Sequence, residues 1–109
     1  MPFRNLPTDD AASLASLIET RPGQVSSMSL TRLGDPVAAT LLAFAEGESV
    51  SEETYPGDTL YYLVEGETDI VFSDRRAPMV AGDVLRVPAG VEHAVEPACA
   101  IKLLQISFA

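Results

Sequence analysis

The chain has 109 residues, enough for one domain that buries about two thirds of its unfolded surface and stands without disulfides. Hydrophobic residues at 47% and charged residues at 21% exclude a disordered chain, and one cysteine, Cys99, excludes an internally stapled fold. Sixteen acids against seven bases give a net charge of −9, which argues against nucleic acid as a partner and favours neutral or cationic ligands over anionic ones.

Residues 1–24 differ in pattern from the rest. Thr8, Asp9 and Asp10 stand ahead of Leu14, Leu17 and Ile18, whose spacing puts them on one helical stripe. This predicts a short N-terminal helix of two to three turns, capped by a Thr or Asp side chain and stopped at Arg21-Pro22-Gly23. The acids Asp9, Asp10 and Glu19 and the lack of a long apolar core argue against a signal peptide here. No apolar run approaches the roughly 20 residues of a membrane helix, so no membrane partner is expected and the expected compartment is the cytoplasm.

From Val25 the hydrophobic period falls to two and turn residues recur every few positions. Strands are predicted over 25–33, 37–45, 50–55, 59–64, 68–72, 77–80, 84–87, 92–96 and 101–108, about nine in all. Pro56-Gly57-Asp58 is a strong turn signal, because Pro presets φ and Gly tolerates positive φ. The strands on either side of Glu65-Gly66-Glu67 read as a hairpin. Arg75-Arg76 reads as a charged turn rather than a basic patch. No helical pattern lies between the strands, which argues against βαβ units. So many short strands need their edges hidden, and a double-sheet jelly roll or closed barrel does that.

Two stretches then resemble the paired motifs of the cupin superfamily. The second motif is Gly-x5-Pro-x-Gly-x2-His-x3-Asn. Gly82, Pro88, Gly90 and His93 fall in register with it, and Pro97 replaces the final Asn. The first is Gly-x5-His-x-His-x3-Glu-x6-Gly. Gly47 and Gly66 match, while Glu53, Tyr55 and Thr59 occupy the three chemical positions. The resemblance implies an all-β fold, a cupin double-stranded β-helix (jelly-roll barrel) with a short N-terminal helix. It also implies that residues 25–109 form the cupin β-barrel domain and residues 1–24 an N-terminal helical or extended arm packing on it. A homodimer is the expected partnership by the same analogy, with the arm or an edge strand crossing to a second subunit.

In that family two His, a Glu and a third His converge on a transition metal. His93 is this chain's single histidine and the one ligand of that set it keeps. Glu53 is a legitimate replacement ligand, so the metal set, where a divalent transition metal binds at all, is His93 and Glu53. Tyr55 binds hard metals only as a phenolate, Thr59 is a poor ligand, and Asp58 falls on the opposite strand face. No cofactor is therefore required.

Two functions compete. In the first, an apolar cavity binds a small polar molecule through Glu53, Tyr55, Thr59, Tyr61 and His93. In the second, Glu53 and His93 form an acid–base pair with Tyr55 as proton donor, catalysing an isomerase, epimerase or lyase type of reaction, with or without a weakly held metal. Bland roles stand beside both: His93 as a hydrogen-bonded barrel-mouth residue, Glu53 and Tyr55 as a rim pair, and Cys99 as a structural thiol. Of Tyr61 and Tyr62, adjacent in one strand, one is expected to face the cavity and the other to pack outward.

Overall fold

In a computed structural model that describes residues 3–109, the alternating segments fold into nine strands. They are β1 (Val25–Ser29), β2 (Val37–Phe44), β3 (Val50–Glu53), β4 (Thr59–Glu65), β5 (Glu67–Val71), β6 (Arg76–Val80), β7 (Val84–Val87), β8 (His93–Pro97) and β9 (Ile101–Phe108). One sheet has the order β1-β2-β9-β4-β7 and the other β3-β8-β5-β6, with all pairs antiparallel. The chain crosses repeatedly from one sheet to the other, as a jelly roll does. No helix among the described residues is long and apolar enough to cross a membrane.

Side chains of period two fill the space between the sheets. Phe44, Tyr61, Leu63, Ile70, Ile101 and Leu103 are all but inaccessible to solvent and meet there. Across the first sheet, register aligns them in rows: Phe44 faces Ile101 on β9, and Leu42 on β2 and Leu63 on β4 flank Leu103. The opposite face of β2 is buried as well. Leu41 and Ala43 pack with Ile18, with Leu14, Leu17 and Met28 around them. A strand buried on both faces reads as a near-continuous apolar run, which Val37–Phe44 is apart from Thr40.

The predicted N-terminal helix is corrected to a single 3₁₀ turn, Leu14–Leu17, with no side-chain cap. Nucleating a helix is costly, and so few residues cannot recover that cost by propagation. Ser16 instead turns its hydroxyl back to the Ser13 carbonyl at 2.6 Å, while Lys102 Nζ donates to the Ala15 carbonyl at 2.7 Å. The apolar side chains reach the sheet without a regular helix.

The predicted hairpin around Gly66 is also corrected. β4 pairs with β7 and β9, whereas β5 pairs with β6 and β8, so the two strands lie in opposite sheets. Leu63 and Ile70 can then both point into the core, one from each sheet. Gly66 makes the corner at φ +91°, and a Cβ there would come within 2.7 Å of the Ala100 carbonyl oxygen and of Ile101 Cγ2.

Candidate functional site

The inward rows change character along the barrel. Past Leu103, the inward positions of β9 become Gln105 and Ser107, and Gln105 is aligned with Thr40 on β2 and Tyr61 on β4. Apolar packing ends there and a cavity of about 200 Å³ opens. Thr40, Tyr61 and Gln105 line it from the first sheet, and Glu53 and His93, cross-strand partners on β3 and β8, from the second. Phe44, Leu42, Val50 and Val95 form the apolar floor and Tyr55 a further wall.

Tyr55 lies two residues beyond the end of β3, past the register shift between Val50 and Glu53, where the chain leaves the sheet. Two loops are tied together to hold it. The Gly90 N–H donates to the Tyr55 carbonyl at 2.9 Å, and the Ala89 N–H donates to Asp58 Oδ1 at 2.9 Å. Asp58 thus braces the Pro88-Ala89-Gly90 turn and does not line the cavity.

His93 is 2% exposed, and both of its ring nitrogens have protein partners. Nδ1 lies 3.0 Å from the Val91 carbonyl, which can only accept, so Nδ1 carries a proton. In the neutral imidazole Nε2 is then an acceptor, and it receives the Tyr61 hydroxyl at 2.8 Å. Burial, and secondarily the Glu53 carboxylate, push the Tyr61 phenol far above its ordinary pKa, which keeps it protonated and donating. The rings of Tyr55, Tyr61 and Phe72 surround the imidazole at centroid distances of 5.8, 5.6 and 6.5 Å.

Glu53 is half-buried, and its carboxylate has no hydrogen bond or ion pair among the described residues. No arginine or lysine lines the cavity. The structure therefore brings Glu53, Tyr55, Tyr61 and His93 together around one space, but it forms no Glu53–Tyr55 pair. Thr59 stands apart. It is buried one row further along, its hydroxyl 3.3 Å from that of Ser107, and it is absent from the cavity wall. Tyr61 faces inward at 1% exposure, while its neighbour Tyr62 is half-buried outside the cavity.

Sequence reasoning missed Thr40 and Gln105. A signal was present for Gln105: it shares the inward face of Ile101 and Leu103 at period two, and a polar residue continuing an apolar face marks the core's edge.

The donor set does not fit the metal that the family resemblance implies. Tetrahedral and octahedral protein sites use three or more protein or substrate donors, whereas here one imidazole and one carboxylate face the cavity and the imidazole's Nε2 is taken by a phenol. Among the described residues no three His, Cys, Asp or Glu side chains converge.

The Tyr61–His93 bond carries a pH prediction. Tyr61's folded pKa lies above its unfolded value near 10, so the unfolded chain loses this proton first as pH rises. The stability tied to the protonated phenol is complete below about pH 10 and declines above it, by up to about 1.4 kcal/mol per pH unit for one proton. Urea unfolding from pH 8 to 11.5 is expected to show a steeper alkaline loss in the wild type than in Tyr61→Phe. Parallel curves would mean that the phenol is not desolvated. At neutral pH the same variant is expected to lose about 1–3 kcal/mol, because it leaves a buried Nε2 without its donor.

Residues 40–99 match the Cupin domain family. Among solved structures, a cupin superfamily protein from Desulfitobacterium hafniense is 48% identical, covers 97% of this chain and 96% of its own, and superposes with a TM-score of 0.94. A Cupin 2 conserved barrel domain protein from Leptotrichia buccalis is 28% identical over 88% of this chain and 46% of its own, with a TM-score of 0.81. A protein of unknown function from Streptococcus pyogenes, at 18% identity over 99% of this chain and 94% of its own and a TM-score of 0.91, shares the fold. No curated protein matches the sequence.

Proposed function

The chain belongs to the cupin domain family, and from that premise we propose that it is a binding domain for a small polar molecule, held inside the barrel without a resident metal. One observation carries this reading. The roughly 200 Å³ cavity has an apolar floor and a few convergent polar groups, and its imidazole is already satisfied by Tyr61 and Val91. A ligand meets a prebuilt wall in which Glu53, Tyr55, Gln105 and Thr40 are the groups facing it.

Acid–base catalysis has one observation in its favour, the cross-strand pairing of Glu53 with His93. The bonding of His93 opposes it, since in the neutral ring neither nitrogen has a lone pair open to a substrate. Binding therefore ranks first.

The test is a nuclear magnetic resonance titration of the full chain against a panel of small neutral, cationic and anionic compounds. At least one compound is expected to shift the amides of Glu53, Tyr55, His93 and Gln105 together. A panel that moves only surface amides would overturn the pocket as a ligand site. Elemental analysis of protein purified without a His tag or chelator is expected to find transition metal well below one per chain, unchanged in His93→Ala. Near-stoichiometric metal that disappears in that variant would overturn the metal-free part.

A further inference from the structure

We infer that the ligand this cavity selects is a small organic ammonium ion, paired with the Glu53 carboxylate and packed against the ring of Tyr55. The inference rests on the cavity being a ligand site and goes further by naming the ligand's charge and class.

Charge is the first reason. Among the described residues Glu53 is the one ionisable acid or base on the cavity wall besides Tyr61 and Tyr55, which are phenols, and His93, whose nitrogens are engaged. No lysine or arginine is there to balance the carboxylate. Closing a neutral ligand over Glu53 strips water from a charge and returns at most a hydrogen bond, and closing an anion over it adds repulsion. A cation supplies the missing partner. The net charge of −9 draws cations toward the whole molecule in the same sense.

The surroundings of the carboxylate say what kind of cation. A transition metal needs more imidazole, thiolate or carboxylate ligands than this wall offers among the described residues, whereas an alkylated ammonium is satisfied by one carboxylate and by aromatic surface. Tyr55 brings a half-buried aromatic ring to the wall, with the buried rings of Phe44 and Tyr61 behind it, and Leu42 and Val50 accept alkyl groups. Tyr61 stays a neutral phenol, because burial disfavours its anion, so its ring does not add a second negative charge. Size agrees as well. An apolar cavity of about 150 Å³ takes a benzene-sized guest, so the roughly 200 Å³ here suits a compact amine rather than a nucleotide or a disaccharide.

The decisive comparison uses three probes of nearly equal shape: choline, its uncharged carbon isostere 3,3-dimethylbutan-1-ol, and the anion 3,3-dimethylbutanoate. Each is titrated into the full chain, with the amides of Glu53, Tyr55 and Gln105 as readout. Choline is expected to bind about tenfold more tightly than the alcohol, and the anion more weakly than both. In Glu53→Gln the choline affinity is expected to fall to that of the alcohol for the same variant, while the unfolding temperature stays near wild type. Equal binding of choline and alcohol, or a choline preference that survives Glu53→Gln, would overturn the cation inference and leave the pocket reading standing. Silence from all three probes also overturns it. If the wider panel is silent too, the pocket reading falls with it.

Discussion

Gly66→Ala is expected to remove about 3 kcal/mol or more of folding stability, a large share of the roughly 5–15 kcal/mol that holds a small domain. Two penalties add. A side chain at φ +91° adopts left-handed backbone, at about 1–2 kcal/mol. The new Cβ also lands 2.7 Å from the Ala100 carbonyl oxygen and from Ile101 Cγ2, and overpacking of this kind costs about 1–3 kcal/mol. Ile101 cannot step aside cheaply, since it is fully buried and aligned with Phe44 in the β2–β9 ladder. Urea denaturation should show a large drop in midpoint at unchanged slope. Gly82→Ala serves as control: it shares a positive φ, +96°, but has open space where the Cβ would go, so it should lose only the backbone part. Equal losses in the two variants would mean that the close approach at Gly66 relaxes.

Phe44→Ala is expected to cost about 3–5 kcal/mol, the range for truncating a buried aromatic side chain. Phe44 has no solvent exposure, faces Ile101 in the first sheet and forms part of the cavity floor. Its removal therefore joins core volume to the cavity. A fall in unfolding temperature of about 4–8 °C per kcal/mol is expected for a domain of this size. The same variant should admit bulkier ligands than the wild type and hold compact ones more weakly. Phe44→Leu, which keeps most of the volume, should lose much less stability. A loss in Phe44→Ala no greater than in Phe44→Leu would mean that the floor collapses and the cavity does not grow.

Much of the fold was legible because strand formation is a local matter here. Alternating apolar residues and Gly, Pro and Asp turns marked nine strands, most within two residues of their ends, and Gly82, Pro88, Gly90 and His93 carried the family. Two elements were misread, and for different reasons. The stripe of Leu14, Leu17 and Ile18 has helical spacing, but four residues of 3₁₀ turn suffice to lay it on the outer face of β2, so regular helix is not needed. Gly66 looks like a hairpin turn from its neighbours in sequence. Whether such a turn pairs its two strands or sends them to opposite sheets depends on where β7, β8 and β9 lie, and those are distant in the chain.

The same division runs through the site. From sequence alone, the resemblance to the cupin motifs put Glu53, Tyr55, Thr59 and His93 at the cavity, and strand parity put one of Tyr61 and Tyr62 there. Strand parity could also have offered Gln105, inward with Ile101 and Leu103. It could not tell that Thr59, equally inward, lies beyond the cavity and bonds to Ser107, because depth along the barrel is set by cross-strand register. Only the tertiary structure decided that His93 is bonded to Tyr61, thirty-two residues earlier, at 2.8 Å. No ladder joins β4 to β8. The two side chains meet because two sheets stack face to face, so the proton held between them, and with it the lone carboxylate of Glu53, belongs to the packing of the whole barrel rather than to any stretch of sequence.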